Sequence, residues 1–551
     1  MRFLSELNAL QRLAVEASDR EVLIIAGPGT GKTKTLTARI AYVLENGAKP
    51  NDIVALTFTN KAAREMRERL ADLLRDDTRL PKICTFHALG ADLLQRSGDT
   101  RPLIKPAEQQ ELIRGLSRPQ EFKNITLREL TLLISCAKAS RNGPVNEAIA
   151  GLLEQYEEAL ASHGCYDFDD LLIKAVERLR SSIDKRLSYM YVLVDEFQDT
   201  SELQYELLKL LSSGGRVFAI GDPNQSIYSF RGAGAEMFTR FRLDFSDVKE
   251  VALTENYRSR PEIVQLANAI FPGSPQLIPQ TDELGHVQAM KTLNGYSEAA
   301  YVLREIEQGI GGSTMLNASG HQDVRQPRNY AVLYRTHQAG RIIQKVFAEG
   351  SVPYQIAGED SPYERPEVQA IITELRAVRD LKSRSVYDFA QQTIERLQLP
   401  SEKVVQFLGT LVQFGNNIEA CLQHIDDIAE QEFYDPSVDA VTLMTIHASK
   451  GLEFAHVFLI AAEEGILPKV TSKDAGNVEE ERRLFYVAAT RAKESLTILH
   501  TKSRGVESMT PSRFITGLPD AVLPRIVDPD FSVLERRQQK RRAQRAQTSL
   551  F

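Results

Sequence analysis

The sequence predicts an α/β protein in which short apolar strands lead into helices. Residues 22–25 form a buried strand that continues into a glycine-rich turn and then a helix. The same order returns at residues 53–59, where an apolar strand precedes an amphipathic helix from Asn60. Two further apolar strands, beginning near residues 191 and 217, end in polar turns. The fold class follows from this repeated step from strand to helix.

The glycine-rich turn has the composition of a phosphate-binding loop, in the strand, loop and helix context that a P-loop requires. We expect its amides and the helix N-terminus to face anionic oxygens, Lys32 to reach the β- and γ-phosphates, and the Thr33 hydroxyl to bind Mg²⁺. The strict pattern opens with glycine, whereas this chain has alanine. The alternative is a glycine-rich turn that binds no nucleotide. The loop reads Ala26-Gly27-Pro28-Gly29-Thr30-Gly31-Lys32-Thr33.

Bulk composition narrows the class of protein. The 551 residues correspond to roughly three or four domains. No apolar run approaches the ~18 residues of a membrane span, and the N-terminus lacks a signal peptide's apolar core, so we expect a cytosolic protein without a membrane partner. The four cysteines form no C-x-x-C pair, which argues against zinc, an iron–sulfur cluster and a disulfide framework. With a net charge of −7, any nucleic-acid binding must come from local basic surface.

Several residues near the strand ends are candidates for binding bases. The Gln11 side chain has a donor and an acceptor, so it can read both the amino group and the ring nitrogen of adenine, although a solvated glutamine is the alternative. Phe58 ends the second strand, where it stacks a nucleic-acid base or belongs to the core. A third strand exit places Phe86 and His87 similarly. The acidic cluster around Asp169 fits a helix N-terminus at least as well as a metal site, and we favour the helix.

Adjacent carboxylates, Asp195 and Glu196, follow the apolar strand of residues 191–194. We expect strand alternation to point them in different directions, which suits one carboxylate to Mg²⁺ and the other to orienting or deprotonating the attacking water. A surface Asp-Glu pair is the alternative.

The strand after residue 217 ends in a turn where Gln225 can sense a γ-phosphate. Aromatic rings and a cation then interleave in the pattern used to stack single-stranded bases, at Tyr228, Phe230 and Arg231. Further on, Tyr257-Arg258 places a planar ring beside a guanidinium group.

In this order, these segments resemble the Q motif and motifs I, Ia, Ib, II, III and IV of superfamily-one helicases of the UvrD/Rep/PcrA type. The series continues downstream, and the resemblance runs from about residue 4 to 520. Residues 331–336 resemble motif IVa, residues 441–454 (V-T-L-M-T-I-H-A-S-K-G-L-E-F) motif V, and residues 480–493 (E-E-R-R-L-F-Y-V-A-A-T-R-A-K) motif VI.

The resemblance implies two RecA-like P-loop domains with parallel sheets, each carrying a helical insertion, with ATP bound in the cleft between them. The first domain would take residues 1–88 and 184–257, with its insertion at 89–183. The second would take residues 258–357 and 437–520, with a reduced accessory insertion at 358–436. Residues 521–551 would form a basic flexible tail.

By the same resemblance, ATP with Mg²⁺ would be bound and hydrolysed by residues on both domains. Lys32 and Thr33 would bind phosphate and metal, Asp195 the metal, and Glu196 would be the general base. Gln225, Arg258 and Arg491 would contact the γ-phosphate, the arginines as fingers that stabilise charge in the transition state. Around the nucleoside, Gln11 would read adenine, Tyr257 would stack on it, and Glu453 would bind the ribose.

The implied activity is movement 3′ to 5′ on single-stranded DNA, with single-strand to double-strand junctions as substrates, in repair or replication in a bacterial-type cytosol or nucleoid. The positions that resemble the DNA track are Phe58, Asn60, Phe86, His87, Tyr228, Phe230, Arg231 and His447.

Three departures from the family pattern stand out. Phe230 replaces the usual tryptophan, which leaves a smaller ring for stacking. Lys34 stands where relatives often place an arginine that sandwiches adenine, and it lacks the planar face. Only residues 355–440 lie between Tyr354 and Val441, where relatives have a much larger mobile subdomain, so we expect a few helices there.

The tail suggests phosphates and a protein as partners. Residues 535–546 hold six basic residues and one acid, which indicates an arm that meets phosphates or, alternatively, a solvated tail. The last five residues, Q-T-S-L-F, resemble the peptide by which bacterial proteins dock on sliding clamps. In that interpretation Gln547 fixes the register while Leu550 and Phe551 fill an apolar pocket.

Together these patterns predict an ATP-dependent DNA helicase. Two alternatives remain open: a translocase that strips proteins from DNA and unwinds poorly, and a clamp-tethered DNA-binding adaptor whose ATP cycle only gates its grip. No nuclease-type carboxylate cluster follows motif VI, so a fused nuclease is not expected.

Overall fold

The computed structural model divides the chain into two compact units, Met1–Glu255 and Asn256–Phe551, and each is described by itself. The structure describes residues 1–74, 79–117, 122, 125–139, 147–181, 188–229, 234–311, 325–357, 366–378, 384–422, 425, 434–469, 477–533 and 535–536.

The first unit is built on a six-stranded sheet in which every pairing is parallel, in the order β3-β2-β4-β5-β1-β6. The P-loop strand β1 therefore lies between β5 and β6, and β5 separates it from β4. Because the strands are parallel, their carboxyl ends meet at one edge, where ligands bind in sheets of this type. The strands are β1 (Glu21–Ala26), β2 (Ile53–Thr57), β3 (Lys82–Thr85), β4 (Tyr191–Val194), β5 (Arg216–Gly221) and β6 (Val248–Leu253).

Alternate residues of these strands enter two separate hydrophobic clusters, one on each face. Ile24 and Ala55 belong to the first cluster, whereas Leu23 and Val54 belong to the second. Both faces are therefore covered by helices, which explains why the strands are continuously apolar. Helices of this unit span Ala9–Glu16, Lys32–Glu45, Asn60–Leu73, Phe86–Arg96, Pro106–Gly115, Leu127–Ala139, Glu147–His163, Phe168–Ser181, Glu202–Leu211 and Glu236–Asp244, with shorter 3₁₀ turns at Arg2–Glu6, Pro50–Asp52, Phe197–Asp199 and Pro223–Gln225.

The acidic cluster around Asp169 lies at a helix N-terminus, which is the interpretation that we favoured over a metal site. Asp167 and Asp170 exchange backbone-to-carboxylate hydrogen bonds at the start of helix Phe168–Ser181. The fully buried Lys138 amine donates to both carboxylates at 2.8 Å. This buried ion triad was not foreseen from the sequence, because its lysine lies about thirty residues earlier in the chain.

The second unit carries an eight-stranded sheet in the order β11-β12-β10-β13-β14-β9-β16, with β15 antiparallel to β14 and every other pairing parallel. The predicted α/β class with two parallel sheets is therefore confirmed. After β7 (Glu255–Asn256) at the division, the strands are β8 (Ile278–Pro279), β9 (His286–Asn294), β10 (Tyr330–Tyr334), β11 (Tyr354–Ala357), β12 (Val441–Thr445), β13 (Phe454–Leu459), β14 (Ala492–Arg504), β15 (Glu507–Ser508) and β16 (Arg525–Val527).

Helices between β11 and β12 form the expected short insertion. Within the described part of the chain, their apolar side chains make a cluster whose members all lie between Val368 and Ile425. The insertion therefore has a small core of its own. Helices of the second unit span Pro261–Ile270, Gly295–Gly309, His337–Glu349, Pro366–Ala377, Val386–Leu397, Ser401–Leu411, Val478–Ala489 and Arg513–Thr516, with 3₁₀ turns at Pro327–Asn329 and Val412–Phe414.

Candidate nucleotide and nucleic-acid sites

The P-loop leaves the carboxyl end of β1 and enters helix Lys32–Glu45. Gly29 and Gly31 have φ angles of 70° and 83°, a conformation that favours glycine. A Cβ at Gly31 would also lie 2.7 Å from Gln11 Nε2, so the loop and the first helix fit closely. Lys32 Nζ lies 3.4 Å from the carbonyl oxygens of Ala26 and Gly27, which keeps the amine at the mouth of its own loop.

Gln11 is buried, and both ends of its amide are engaged within the protein. Its Oε1 accepts from Asn8 N, as part of a capping box on helix Ala9–Glu16, and its Nε2 donates to Thr30 O at 3.0 Å. The side chain thus ties the first helix to the P-loop. Lys34 lies on the exposed side, where its amine donates to Glu6 O at 2.8 Å.

Asp195 and Glu196 follow β4 at the same sheet edge as the P-loop. Asp195 is buried, and Thr33 Oγ1 donates to its Oδ2 at 3.5 Å. The expectation that strand alternation separates the two carboxylates is wrong, because β4 ends at Val194 and Glu196 has a left-handed φ of 48°. The backbone turn at Glu196, rather than strand geometry, directs the second carboxylate.

The oxygens of Thr33 and Asp195 fit a magnesium ion. Hydroxyl and carboxylate oxygens are the ligands that this hard cation prefers. Burial, followed by the charge of Glu196, raises the pKa of Asp195 to about 7, while Lys32 opposes the rise. A divalent cation would offset this cost by favouring the ionised carboxylate. Among the described residues, no cluster of three or more histidine, cysteine or acidic side chains offers another metal site.

Gln225 follows β5 in the 3₁₀ turn Pro223–Gln225 and is buried. Its Nε2 donates to Asp222 Oδ2 at 2.8 Å. Burial raises the pKa of Asp222, and Lys32 is the first opposing influence. A second buried amide, Gln198, joins this turn to Glu196; no sequence pattern singled it out, because its importance depends on contacts between two strand ends.

In the second unit, Arg258 and Glu453 are brought together. Arg258 Nε lies 2.7 Å from Glu453 Oε2, and Lys493 Nζ contacts the other carboxylate oxygen. Burial raises the pKa of Glu453, but Arg258 and Lys493 together outweigh this effect and hold the pKa below its ordinary value. Tyr257 is 54% exposed.

Arg491 is 1% exposed, and its guanidinium is held by carbonyl groups. Its Nε donates to Val487 O at 3.0 Å, and its Nη1 donates to Leu452 O at 2.8 Å. The acidic run at the start of helix Val478–Ala489 contacts a different arginine, because Arg335 makes a bidentate pair with Glu481. Arg491 therefore links the last turn of this helix to the segment before β13.

Aromatic residues at the strand exits of the first unit occur in stacked pairs. The Phe58 and Tyr228 rings lie 5.7 Å apart with planes at 12°, and the His87 ring lies 4.0 Å from that of Phe168 at 22°. Phe86 requires a correction, because its ring lies in the hydrophobic core and has no face open to a base.

Two further candidate DNA contacts, Asn60 and His447, have a known position in the fold. Asn60 begins helix Asn60–Leu73, which Thr59 caps, and His447 follows β12 in the second unit. Phe230 and Arg231 lie outside the described residues, as do Gln547, Leu550 and Phe551 of the tail peptide.

Within the part of the chain that the structure describes, no helix combines the length and apolar character needed to cross a bilayer.

Comparison with known proteins gives consistent similarities along the chain. Residues 7–246 match the UvrD/REP helicase N-terminal domain, and residues 251–393 and 414–503 match the UvrD-like helicase C-terminal domain. The chain is 29% identical to the ATP-dependent DNA helicase PcrA of Bacillus subtilis (strain 168), covering 95% of this chain and 87% of that protein. It is also 29% identical to the ATP-dependent DNA helicase Rep of Escherichia coli (strain K12), covering 93% of this chain and 94% of Rep.

The difference in length agrees with the short insertion. The alignment with the Bacillus protein spans 652 positions, although this chain has 551 residues, so that relative contains segments that this chain lacks. Residues 394–413, between the two stretches matched by the C-terminal domain, belong to the insertion.

Proposed function

The chain belongs to the UvrD/Rep family of helicases and is an ATP-dependent DNA helicase, and we propose that it moves 3′ to 5′ along single-stranded DNA in repair or replication. This activity corresponds to a location in a bacterial-type cytosol or nucleoid. The similarity of both family domains supports the helicase class. The direction of movement and the cellular process are parts of our proposal.

One observation carries the proposal most strongly: the ends of β1, β4 and β5 bring the P-loop, Asp195 with Glu196, and Gln225 to one sheet edge. The sequence separates these residues widely, yet Thr33 and Asp195 are in hydrogen-bond contact. A nucleotide-hydrolysing site needs these three functions together, namely phosphate binding, metal binding and water activation.

In the proposed mechanism, the loop amides and Lys32 bind the phosphates, and Thr33 and Asp195 hold Mg²⁺. The bound metal would neutralise charge that develops on the phosphate oxygens. Glu196 orients the attacking water and accepts its proton. Gln225 contacts the γ-phosphate.

The nucleoside and the transition state involve further residues. We propose that Gln11 and Tyr257 contact the adenine, with Lys34 beside it, and that Glu453 binds the ribose. Arg258 and Arg491 would supply positive charge to the transferred phosphoryl group. An arginine in this role contributes ~10³-fold or more to the rate, because it acts mainly on the transition state.

The proposed DNA contacts are Phe58, Asn60, His87, Tyr228 and His447, with Phe230 and Arg231 retained from the sequence. Phe86 is excluded by its burial. Planar side chains at strand exits offer stacking surfaces that tolerate any base sequence.

Unwinding of partial duplexes with either a 3′ or a 5′ single-stranded tail tests the proposal, with strand-dependent ATP hydrolysis measured on the same DNA. We expect unwinding only with the 3′ tail, and we expect Glu196→Gln to abolish both activities while binding of ATP persists. A preference for the 5′ tail would overturn the assigned direction. If Glu196→Gln retained its cellular role, the adaptor alternative would be favoured.

The short insertion favours a second candidate, a translocase that strips proteins from DNA. Its helices form a small separate core in place of a larger subdomain. Displacement of streptavidin from biotinylated single strands, compared with duplex unwinding, separates the two activities. Fast displacement without unwinding of 3′-tailed duplexes would support the translocase.

We also propose that Gln547, Leu550 and Phe551 bind a sliding clamp. An apolar pair with one polar anchor is a suitable short peptide for a pocket on a partner. A pull-down with a purified clamp, using the full chain and a variant lacking residues 547–551, tests this. Equal capture of the two proteins would reject the clamp proposal.

A further inference from the structure

Gln198 occupies the space between the ends of β4 and β5, and its side chain is fully buried. Its Nε2 donates to Glu196 Oε2, and its Oε1 accepts from Asp222 N at 2.9 Å. One amide therefore connects the proposed general base to the turn that contains Gln225.

The direction of this amide follows from chemistry. A backbone N–H can only donate, so the Gln198 atom facing Asp222 N must be the carbonyl oxygen. The NH₂ group must then face Glu196, whose ionised carboxylate can only accept. The side chain thus holds one oxygen of Glu196 by a hydrogen bond to a charged acceptor, which is stronger than one between neutral groups.

The backbone around Gln198 is held by the same turn. Ser226 Oγ donates to Gln198 O at 3.2 Å, so both the main chain and the side chain of Gln198 contact the segment Asp222–Ser226. A Cβ on Gly221 would lie 3.0 Å from Phe197 N and 3.1 Å from Gln198 N, so the backbone just before this segment approaches the Phe197–Gln198 backbone closely.

The segment also reaches an aromatic pair. Ser226 is followed by the buried Ile227 and then by Tyr228, whose ring is stacked on Phe58 at the end of β2. Tyr228 is therefore two residues after Ser226, whose hydroxyl donates to the Gln198 carbonyl oxygen.

We propose that Gln198 is a positioning residue that links the segment Asp222–Tyr228 to the carboxylate of Glu196, so that occupation of the aromatic pair by DNA changes how Glu196 is held. This inference rests on the proposed function. In this role Gln198 acts through Glu196, to which its side chain donates a hydrogen bond.

The test compares Gln198→Glu with the matched control Gln204→Glu. Gln198→Glu keeps the acceptor for Asp222 N and nearly the same volume, but it replaces the donor that faces Glu196. Gln204 is also a buried glutamine, and its Oε1 accepts from Ser201 N in a helix cap, a role that a glutamate performs equally well. The kcat and KM for ATP, with and without single-stranded DNA, and the affinity for a fluorescent ATP analogue are measured for each protein.

We expect Gln198→Glu to lower the DNA-stimulated kcat by about 10-fold or more, while KM and analogue affinity change by less than about 3-fold. Gln204→Glu should behave like the wild-type protein. If Gln198→Glu keeps the wild-type kcat and stimulation, the inference is overturned. Equal losses in kcat and nucleotide affinity would also overturn it, because they would indicate a structural role alone.

Ser226→Ala provides a second, milder variant in case Gln198→Glu does not fold. It removes one hydrogen bond to the Gln198 carbonyl, and we expect DNA stimulation to fall about 2- to 5-fold with ATP affinity unchanged. Wild-type stimulation in this variant would then reject the inference. If the wild-type protein itself shows no DNA-stimulated hydrolysis, the proposed function fails first.

Discussion

At the scale of single residues, three buried amides link neighbouring segments of the first unit. Gln11 joins the first helix to the P-loop, Gln225 is tied to Asp222, and Gln198 connects two strand ends. An amide offers a donor and an acceptor without carrying charge, so it can be buried at lower cost than a carboxylate or an amine. These residues position the charged groups around them.

Two buried histidines of the second unit have lowered pKa values, which makes their contribution to stability depend on pH. Burial lowers the pKa of His456 to about 4, and the nearby positive charge of Arg325 contributes in the same direction. The ring packs on Tyr330, and its Nδ1 lies 2.8 Å from Ser495 Oγ. His500 on the neighbouring strand β14 has a pKa lowered to about 4 for the same reason, with Lys291 nearby.

We predict that His456 and His500 each lower the free energy of unfolding as the pH is lowered from about 6.5 towards 4, whereas buried carboxylates with a raised pKa, such as Asp195, act in the opposite direction. In this window the unfolded chain binds protons at these histidines, whereas the folded chain does not, so protonation favours unfolding. Each histidine costs about 1.4 kcal/mol per pH unit below 6.5. Thermal unfolding of wild type and His456→Gln at pH 7.5 and 5.5 checks this. The variant should lose less stability on acidification, and an equal loss would contradict the assignment.

At the scale of elements, the ion triad connects two helices of the first insertion. Lys138 lies in the last turn of helix Leu127–Ala139, and Asp167 and Asp170 lie at the start of helix Phe168–Ser181. The amine also lies 5.5 Å from the Tyr156 ring centre. The positive charge thus compensates two carboxylates that would be costly to bury alone.

We predict that Lys138→Met loosens this insertion by about 3–5 kcal/mol, because it leaves two buried carboxylates without a counter-charge. Hydrogen exchange of helices Leu127–Ala139 and Phe168–Ser181 measures the change. Lys174→Met is the control, since Lys174 is partly exposed and forms an ordinary surface ion pair with Glu177. Equal protection in Lys138→Met and wild type would show that the triad contributes little.

At the scale of the whole molecule, each unit combines a parallel sheet with helices inserted between its strands. The insertion after β11 is smaller than the insertion of the first unit, and the described residues of its hydrophobic cluster all belong to the insertion itself. Because β11 and β12 are adjacent and parallel, a connection between them runs from the carboxyl end of β11 back to the amino end of β12. This distance is the length of a four-residue strand, about 13 Å.

We therefore predict that a Gly/Ser linker can replace residues 366–425 while leaving the second sheet folded. ATP hydrolysis stimulated by single-stranded DNA should stay within about 3-fold of wild type, since the candidate ATP-site residues lie outside the replaced segment. Hydrolysis and thermal unfolding are measured together. Replacement of residues 386–397 alone by the same linker serves as the control for exposing the insertion's core. Loss of the sheet's cooperative unfolding in the full replacement would contradict the prediction.

The sequence by itself determined the fold class and the order of the motifs, and it predicted the P-loop and a short insertion. These features are local, because periodicity, glycine positions and short motifs are properties of neighbouring residues. It also indicated Asp195, Glu196 and Gln225 as a group, since polar residues that follow parallel strands collect at one edge.

Only the tertiary structure decided which of these side chains touch and which are buried. It placed Phe86 in the core, turned Glu196 by a left-handed backbone, surrounded Arg491 with carbonyl groups, and put Gln198 between two strands. Burial and hydrogen-bond partners depend on residues far apart in the chain, and no local pattern encodes those distances. The P-loop could be found from its letters, but the amides that hold its surroundings became visible only when the strands were placed side by side.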